Sequence, residues 1–277
     1  MPPTPSNPLI FYDIATRPPV SKTCCSPNPW KTRLALNFKN LPYSTKWISL
    51  PDIAPVRRRL GLPPCRKFAD GTDFYTLPIL DDPSTGSKVG DSFDIAVYLQ
   101  KTYPASGPSD GDLFPPQTLD FVFSQDILVP LSECRDATYP EYARFNMSVD
   151  AAFSTHVLLT VQGFPFDPAT EEAAKAEFLR RAGAKSWDDF ALVGEAREKV
   201  KDSLRIMLGE LGKLFVRDPS GPFILGERAS YADLIVGAWL RMMRATLPES
   251  EWEEVRGWHD GLFGRVHDAL EVYAEVK

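Results

Sequence analysis

The sequence offers little that could hold a metal or staple a small fold. Its cysteines are four, Cys24, Cys25, Cys65 and Cys134. They show no metal-ligand spacing and are too few for a disulfide scaffold, so reduced thiols and no bound metal are expected. Long hydrophobic runs are missing as well. The longest, Leu234 to Leu240, falls far below the roughly 20 residues that a bilayer span needs. The opening MPPTPSNPLIFYDIA has no basic stretch ahead of its short apolar run, so no signal peptide and a cytoplasmic location are expected. Positive charge is in deficit, with 31 Lys and Arg against 37 Asp and Glu and a net charge of -6. That balance argues against nucleic acid or an anionic membrane as the main partner.

What is present suffices for two domains, since 277 residues are long for one compact core. Residues 9–15 (LIFYDIA) have the branched and aromatic content of a buried strand, stopped by Pro18 and Pro19. Trp30, Leu34, Phe38 and Leu41 then recur at helical spacing, with Lys31, Arg33, Asn37 and Lys39 expected on the opposite, solvated face. STKWISL (44–50) reads as a second strand and DFYTLPILDD (73–82) as a third with a proline inside it. A turn at 83–86 and a short fourth strand lead to a helix over 92–103, with Ser92 placed to cap it. PASGPSDGDLFPP (104–116) has little to bury and reads as a linker. Beyond it the period is helical throughout, over 116–146, 169–182 and 200–215. A further helix carries the S-x-x-D capping box of Ser230 and Asp233. The expected architecture is an α/β domain over 1–103, a linker over 104–116, and an all-α domain over 117–277.

Four elements occur in an order that resembles the glutathione transferases: SPNPWKTRLAL, with a serine before the first helix; YTLPIL, a strand carrying a proline; GDSFDIAVYL leading to YP; and GERASYAD before a buried helix. SPNPWKTRLALNFK and FLRRAGAKSWDDF are similar to the β-etherase-type transferases of bacteria. They are closer still to the serine-type fungal transferases related to them, class Fu A. The resemblance implies a thioredoxin-like N-terminal domain, an all-helical C-terminal one, glutathione as cosubstrate and a homodimer.

On that reading Ser26 donates a hydrogen bond to the glutathione sulfur. A thiol with a pKa of about 8.5 needs about 2.7 kcal/mol to fall by two units. One hydrogen bond to a charged group supplies about 1.5–3 kcal/mol, and a helix N-terminus roughly 0.3–1, so no basic residue is required. The bland alternative makes Ser26 a helix cap only. Pro27 and Pro29 remove two amide donors from the helix start, which makes the side-chain amide of Asn28 a candidate helper. Cys24 and Cys25 are rival nucleophiles, one and two residues before the serine. The resemblance further implies a cis peptide at Pro78 that presents the Leu77 backbone to the cysteinyl unit, and an Asp91–Ser92 pair for the γ-glutamyl end. For the glycyl carboxylate the sequence supplies Lys67 among a basic group with Arg57, Arg58, Arg59, Arg66 and Lys46, in the loop before the third strand or close by.

The second substrate is expected against the first helices of the C-terminal domain. Aromatics crowd residues 114–166, with Phe123, Tyr142, Phe164 and Phe166 as candidate contacts and TVQGFPFDPAT (160–170) as a wall or lid. The class resemblance suggests phenolic or lignin-derived aromatic substrates. Two other functions remain open at this point, a non-catalytic carrier of aromatics and a Cys25-dependent thiol-transferase.

Overall fold

The computed structural model describes residues 7–107, 111–123 and 138–277. The chain opens with β1 (Leu9–Ile14), α1 (Val20–Thr23), α2 (Pro27–Phe38), β2 (Tyr43–Ile48) and α3 (Ile53–Arg59). There follow β3 (Arg66–Lys67), β4 (Asp73–Phe74), β5 (Ile79–Asp82), β6 (Ser87–Val89) and α4 (Ser92–Thr102). The remaining helices are α5 (Pro140–Thr155), α6 (Leu158–Val161), α7 (Glu171–Ala182), α8 (Gly194–Phe215), α9 (Tyr231–Thr246) and α10 (Glu249–Ala269). Among the described residues no helix is long and apolar enough to cross a membrane.

The four-stranded sheet has the order β2-β1-β5-β6. β1 and β2 run parallel, pairing Leu9 with Tyr43, while β5 is antiparallel to both β1 and β6. Pairing of Tyr12 with Ile79 and of Leu80 with Val89 brings the end of β1, the start of β5 and the end of β6 to one end of the sheet. The loops before α2, before β5 and before α4 therefore open together. This is the thioredoxin-like arrangement, and α2 and α4 pack against each other beside it. The strand expected over 73–82 is split in two, since Tyr75 to Pro78 leave the ladder; the Leu77–Pro78 peptide within this stretch is cis.

α2 is not half-solvated as its sequence suggests. Lys31, Arg33 and Lys39 are each fully buried. Arg33 reaches Asp13 on β1 at 2.6 Å, and Lys39 donates to the carbonyls of Gly111 and Pro104 at 2.6 and 3.0 Å and to Gln100. The face read as polar is thus enclosed, with Asp13 as partner for Arg33 and the linker carbonyls and Gln100 for Lys39.

The compact units follow tertiary contacts, not linear boundaries. One comprises Met1–Asp112, Pro165–Asp189 and Tyr273–Lys277; the other comprises Leu113–Phe164 and Phe190–Val272. Segment 165–189 joins the first unit through specific bonds: Arg17 N–H donates to Pro165 at 2.8 Å and Arg181 Nη1 to Tyr75 O at 2.8 Å, while the Arg180 guanidinium lies 4.0 Å over Phe68. The tail joins through Asn37, which donates to the carbonyls of Tyr273 and Glu275. Neither attachment has a signature in local composition.

In the helical unit α5 packs on α9, with Phe153 stacked on Trp239 and the Trp239 indole donating to Asp150 at 2.8 Å. The Ser230–Asp233 capping box is present. Its carboxylate accepts from Ile224 N–H, Ser230 N–H and the Ser230 hydroxyl at 2.9, 2.8 and 2.8 Å. Burial of this fully enclosed carboxyl pushes its pKa up to about 6, against those three hydrogen bonds. Residues 111–123 are not helical and α5 begins at Pro140, so the helix expected over 116–146 is corrected at its N-terminal part. Residues 124–137 lie outside the described ones.

Candidate active site

Ser26 occupies the N-cap position of α2 with extended backbone (φ -63°, ψ 128°), and its side chain makes no cap hydrogen bond. Pro27 and Pro29 hold the first and third helical positions, so Asn28 alone carries an amide N–H among the first three. Both Ser26 and Asn28 are half-buried. The Asn28 Oδ1 is enclosed without a hydrogen-bond partner, as is the Thr32 hydroxyl one turn further along. A helix start with one backbone donor, an uncommitted hydroxyl and an unsatisfied side-chain amide has unused capacity for a polar ligand.

The cysteines beside it are sealed. Cys24 is 6% and Cys25 1% exposed. Burial, reinforced by Cys24 and Asp13, pushes the Cys25 thiol well above the ordinary cysteine range, the reverse of what a nucleophilic thiolate needs. Trp30 closes the loop over them, its indole donating to Cys24 O at 2.8 Å. The enclosure of Cys25 speaks against the Cys25-dependent thiol-transferase left open from sequence.

Leu77 is buried, and its N–H and C=O carry no hydrogen bond within the described residues. At α4 the cap is Asp91 and not Ser92: Asp91 Oδ1 accepts from Phe93 N–H at 2.8 Å, while Ser92 is the first helical residue and buried. Of the basic group, Arg57, Arg58 and Arg59 lie on α3 and not in a loop. Arg57 is buried and donates to the carbonyls of Pro63, Thr76 and Gly90. Arg58 packs over the Tyr75 ring and Arg66 over Phe74. Lys67 is 63% exposed and ion-paired with Asp73 across the β3–β4 hairpin. Among the described residues no His, Cys, Asp and Glu group is placed to hold a metal ion.

Of the aromatic candidates, Phe123 and Phe164 are half-buried in the helical unit. Tyr142 is enclosed in that unit, its hydroxyl donating to Pro115 O at 2.7 Å and accepting from Gln117. Phe166 belongs to the first unit, edge-on to Phe178 and Trp187. Sequence reasoning passed over those two partners, and over the cis Pro18–Pro19 peptide beside the Ser26 loop. The Arg57 network was missed too, its one signal being a glycine, Gly90, directly before the Asp91 cap.

Known proteins match along nearly the whole chain. The family models for the N-terminal and C-terminal domains of glutathione S-transferase match residues 25–102 and 152–273. The crystal structure of the glutathione S-transferase CsGST63524 of Ceriporiopsis subvermispora, in complex with glutathione, is 30% identical. It covers 98% of this chain and 99% of its own, with a TM-score of 0.77. The transferase GSTFuA2 from Phanerochaete chrysosporium is 28% identical, covering 98% of this chain and all of its own, with a TM-score of 0.76. The glutathione S-transferase-like protein ustS of Aspergillus flavus is 28% identical over 273 residues, 94% of this chain and 88% of that protein. With both domains matched and a 30% identical transferase superposing end to end, the chain belongs to the glutathione transferase family.

Proposed function

We propose that this transferase binds glutathione at the sheet end where its three loops open, and that Ser26 Oγ donates a hydrogen bond to the glutathione sulfur. The thiol proton leaves to solvent, and the thiolate held by Ser26 attacks the electrophilic carbon of an aromatic substrate, forming the C–S bond as the leaving group departs with its electron pair. With a hydroperoxide it attacks the terminal oxygen instead, breaking the O–O bond to give glutathione sulfenic acid and an alkoxide that takes a proton from water. A second glutathione then converts the sulfenic acid to the disulfide and water. The observation that carries this reading is the hydroxyl at the N-cap position of α2 that caps nothing. Asn28 assists through the Nδ2–H donors of its side-chain amide, since the amide oxygen can only accept. Cys25 is disfavoured for the same task by its burial and raised pKa.

The peptide lies as an added strand on the Leu77 backbone before cis Pro78. Asp91 pairs with the γ-glutamyl ammonium, and Ser92 at the α4 start meets its α-carboxylate. Lys67 takes the glycyl carboxylate by exchanging it for Asp73. For the ring of the second substrate the contributors proposed are Phe123, Tyr142 and Phe164 of the helical unit, with phenolic or lignin-related aromatics as the class. The homodimer belongs to the same proposal and is read by light scattering as twice 31.0 kDa. Steady-state conjugation of a generic aryl halide tests the catalytic assignment: turnover should collapse in Ser26→Ala with glutathione still bound. Undiminished turnover would refute it, and tight dye binding without turnover in the unaltered protein would identify a carrier.

A further inference from the structure

We propose that Arg57 is a positioning residue that fixes the spacing between the two loops holding the cysteinyl and γ-glutamyl parts of glutathione; this rests on the site assignment above. Arg57 is 3% exposed. Its Nε donates to Pro63 O at 2.8 Å, Nη1 to Thr76 O at 3.0 Å and Nη2 to Gly90 O at 2.7 Å. Thr76 directly precedes Leu77, and Gly90 directly precedes Asp91. A trans peptide unit is rigid and planar, so holding the Thr76 carbonyl sets the direction of the Leu77 N–H, and holding the Gly90 carbonyl sets that of the Asp91 N–H.

One flat guanidinium thereby ties both recognition loops at a fixed separation, which a lysine ammonium, a single point charge on a flexible stem, does not reproduce. Gly90 is part of the device. A Cβ at that position would lie 2.6 Å from Arg57 Nη2 and 2.8 Å from Nη1, so any larger residue there pushes the guanidinium away from the carbonyls it holds. The preceding carbonyl is held too, Tyr75 O by Arg181 Nη1 from α7 at 2.8 Å, so two successive peptides ahead of Leu77 are pinned from different helices. Arg57 itself is assigned no contact with glutathione: it is enclosed, and each of its three nitrogens donates to a backbone carbonyl.

The test compares equilibrium binding of glutathione with that of cysteinylglycine, which lacks the γ-glutamyl end, in Arg57→Met, Arg57→Lys and Gly90→Ala. The ratio of the two dissociation constants reports how well the loops act together. A merely structural role changes the folded fraction and leaves this ratio alone. The expected result is a ratio reduced about tenfold in Arg57→Met and in Gly90→Ala, with little recovery in Arg57→Lys and an unchanged KM for the electrophile. If Arg57→Met does not fold, Gly90→Ala decides by itself. Asp91→Asn, which keeps a good cap, is run alongside. Weakened glutathione binding in Asp91→Asn with unchanged ratios in the other variants overturns the clamp and leaves the site standing. Unchanged binding in Asp91→Asn overturns the site assignment and the clamp with it.

Discussion

The buried pair of Asp13 and Arg33 gives a quantitative test of how α2 is fixed to the sheet. Arg33 is fully enclosed and Asp13 is 2% exposed, with Nη2 and Oδ2 2.6 Å apart. The guanidinium lies 4.9, 5.4 and 5.2 Å from the rings of Phe11, Trp30 and Trp47 and donates to Thr45 at 3.1 Å. Asp13 also accepts from Ile14 N–H at 2.6 Å. Its pKa is nevertheless raised, because burial outweighs the attraction and hydrogen bond of Arg33. Removing one partner leaves a charge in a ring-lined interior with nothing opposite, at a cost of about 3–5 kcal/mol. Replacing both with apolar groups of similar volume removes the desolvation penalty and is expected to be neutral or stabilising by roughly 1–4 kcal/mol. Urea unfolding should therefore show a large fall in midpoint for Asp13→Asn and for Arg33→Met, and recovery in Asp13→Leu with Arg33→Met. Single variants within about 1 kcal/mol of the parent, the range of surface pairs, would refute the reasoning. So would a double variant no better than either single one.

Two further outcomes follow from burial. Asp233, raised to about 6 in the folded chain from 3.8, binds its proton more tightly folded than unfolded. Its contribution is fully present below about pH 4 and is lost as pH rises through about 6, a difference of roughly 3 kcal/mol. Thermal stability should carry this fall between those pH values, and Asp233→Asn should abolish that slope. Cys25, enclosed beside Cys24 with a raised pKa, should resist alkylation in the native protein at pH 8 and react after denaturation, as read by mass spectrometry. Rapid native labelling would return it to the candidates for catalysis.

The local geometry around the candidate site was legible where its signals lie within a few residues. A serine before two prolines, a proline inside a strand pattern, an aspartate at a helix start and an S-x-x-D box each impose their geometry within a few residues. The burial of Lys31, Arg33 and Lys39 was not legible, since helical period assigns charges to solvent unless a distant partner is known. Those partners are Asp13 on β1 for Arg33 and the linker carbonyls for Lys39. The same holds for segment 165–189, which reads as part of the helical domain yet sits with the sheet through Arg181, Arg180 and Pro165. Arg57 looked like one member of a charge run; only the positions of three carbonyls distinguish it from Arg58 and Arg59. The helix α10, kinked at His259, Asp260 and Gly261 where φ is positive, went unremarked because Trp252, Val255, Leu262 and Val266 keep helical spacing straight across the kink, so the period carries no sign of the break.

The central claim is that the Ser26 hydroxyl lowers the pKa of bound glutathione. It is tested most directly by titrating the ultraviolet absorbance of the thiolate in the glutathione complexes of the parent, Ser26→Ala, Asn28→Ala and the double variant. Loss of one hydrogen bond to the anion should raise the apparent pKa by about 1–2 units in Ser26→Ala, with a smaller rise for Asn28→Ala and the largest in the double variant. A double variant that titrates with the parent would contradict the account.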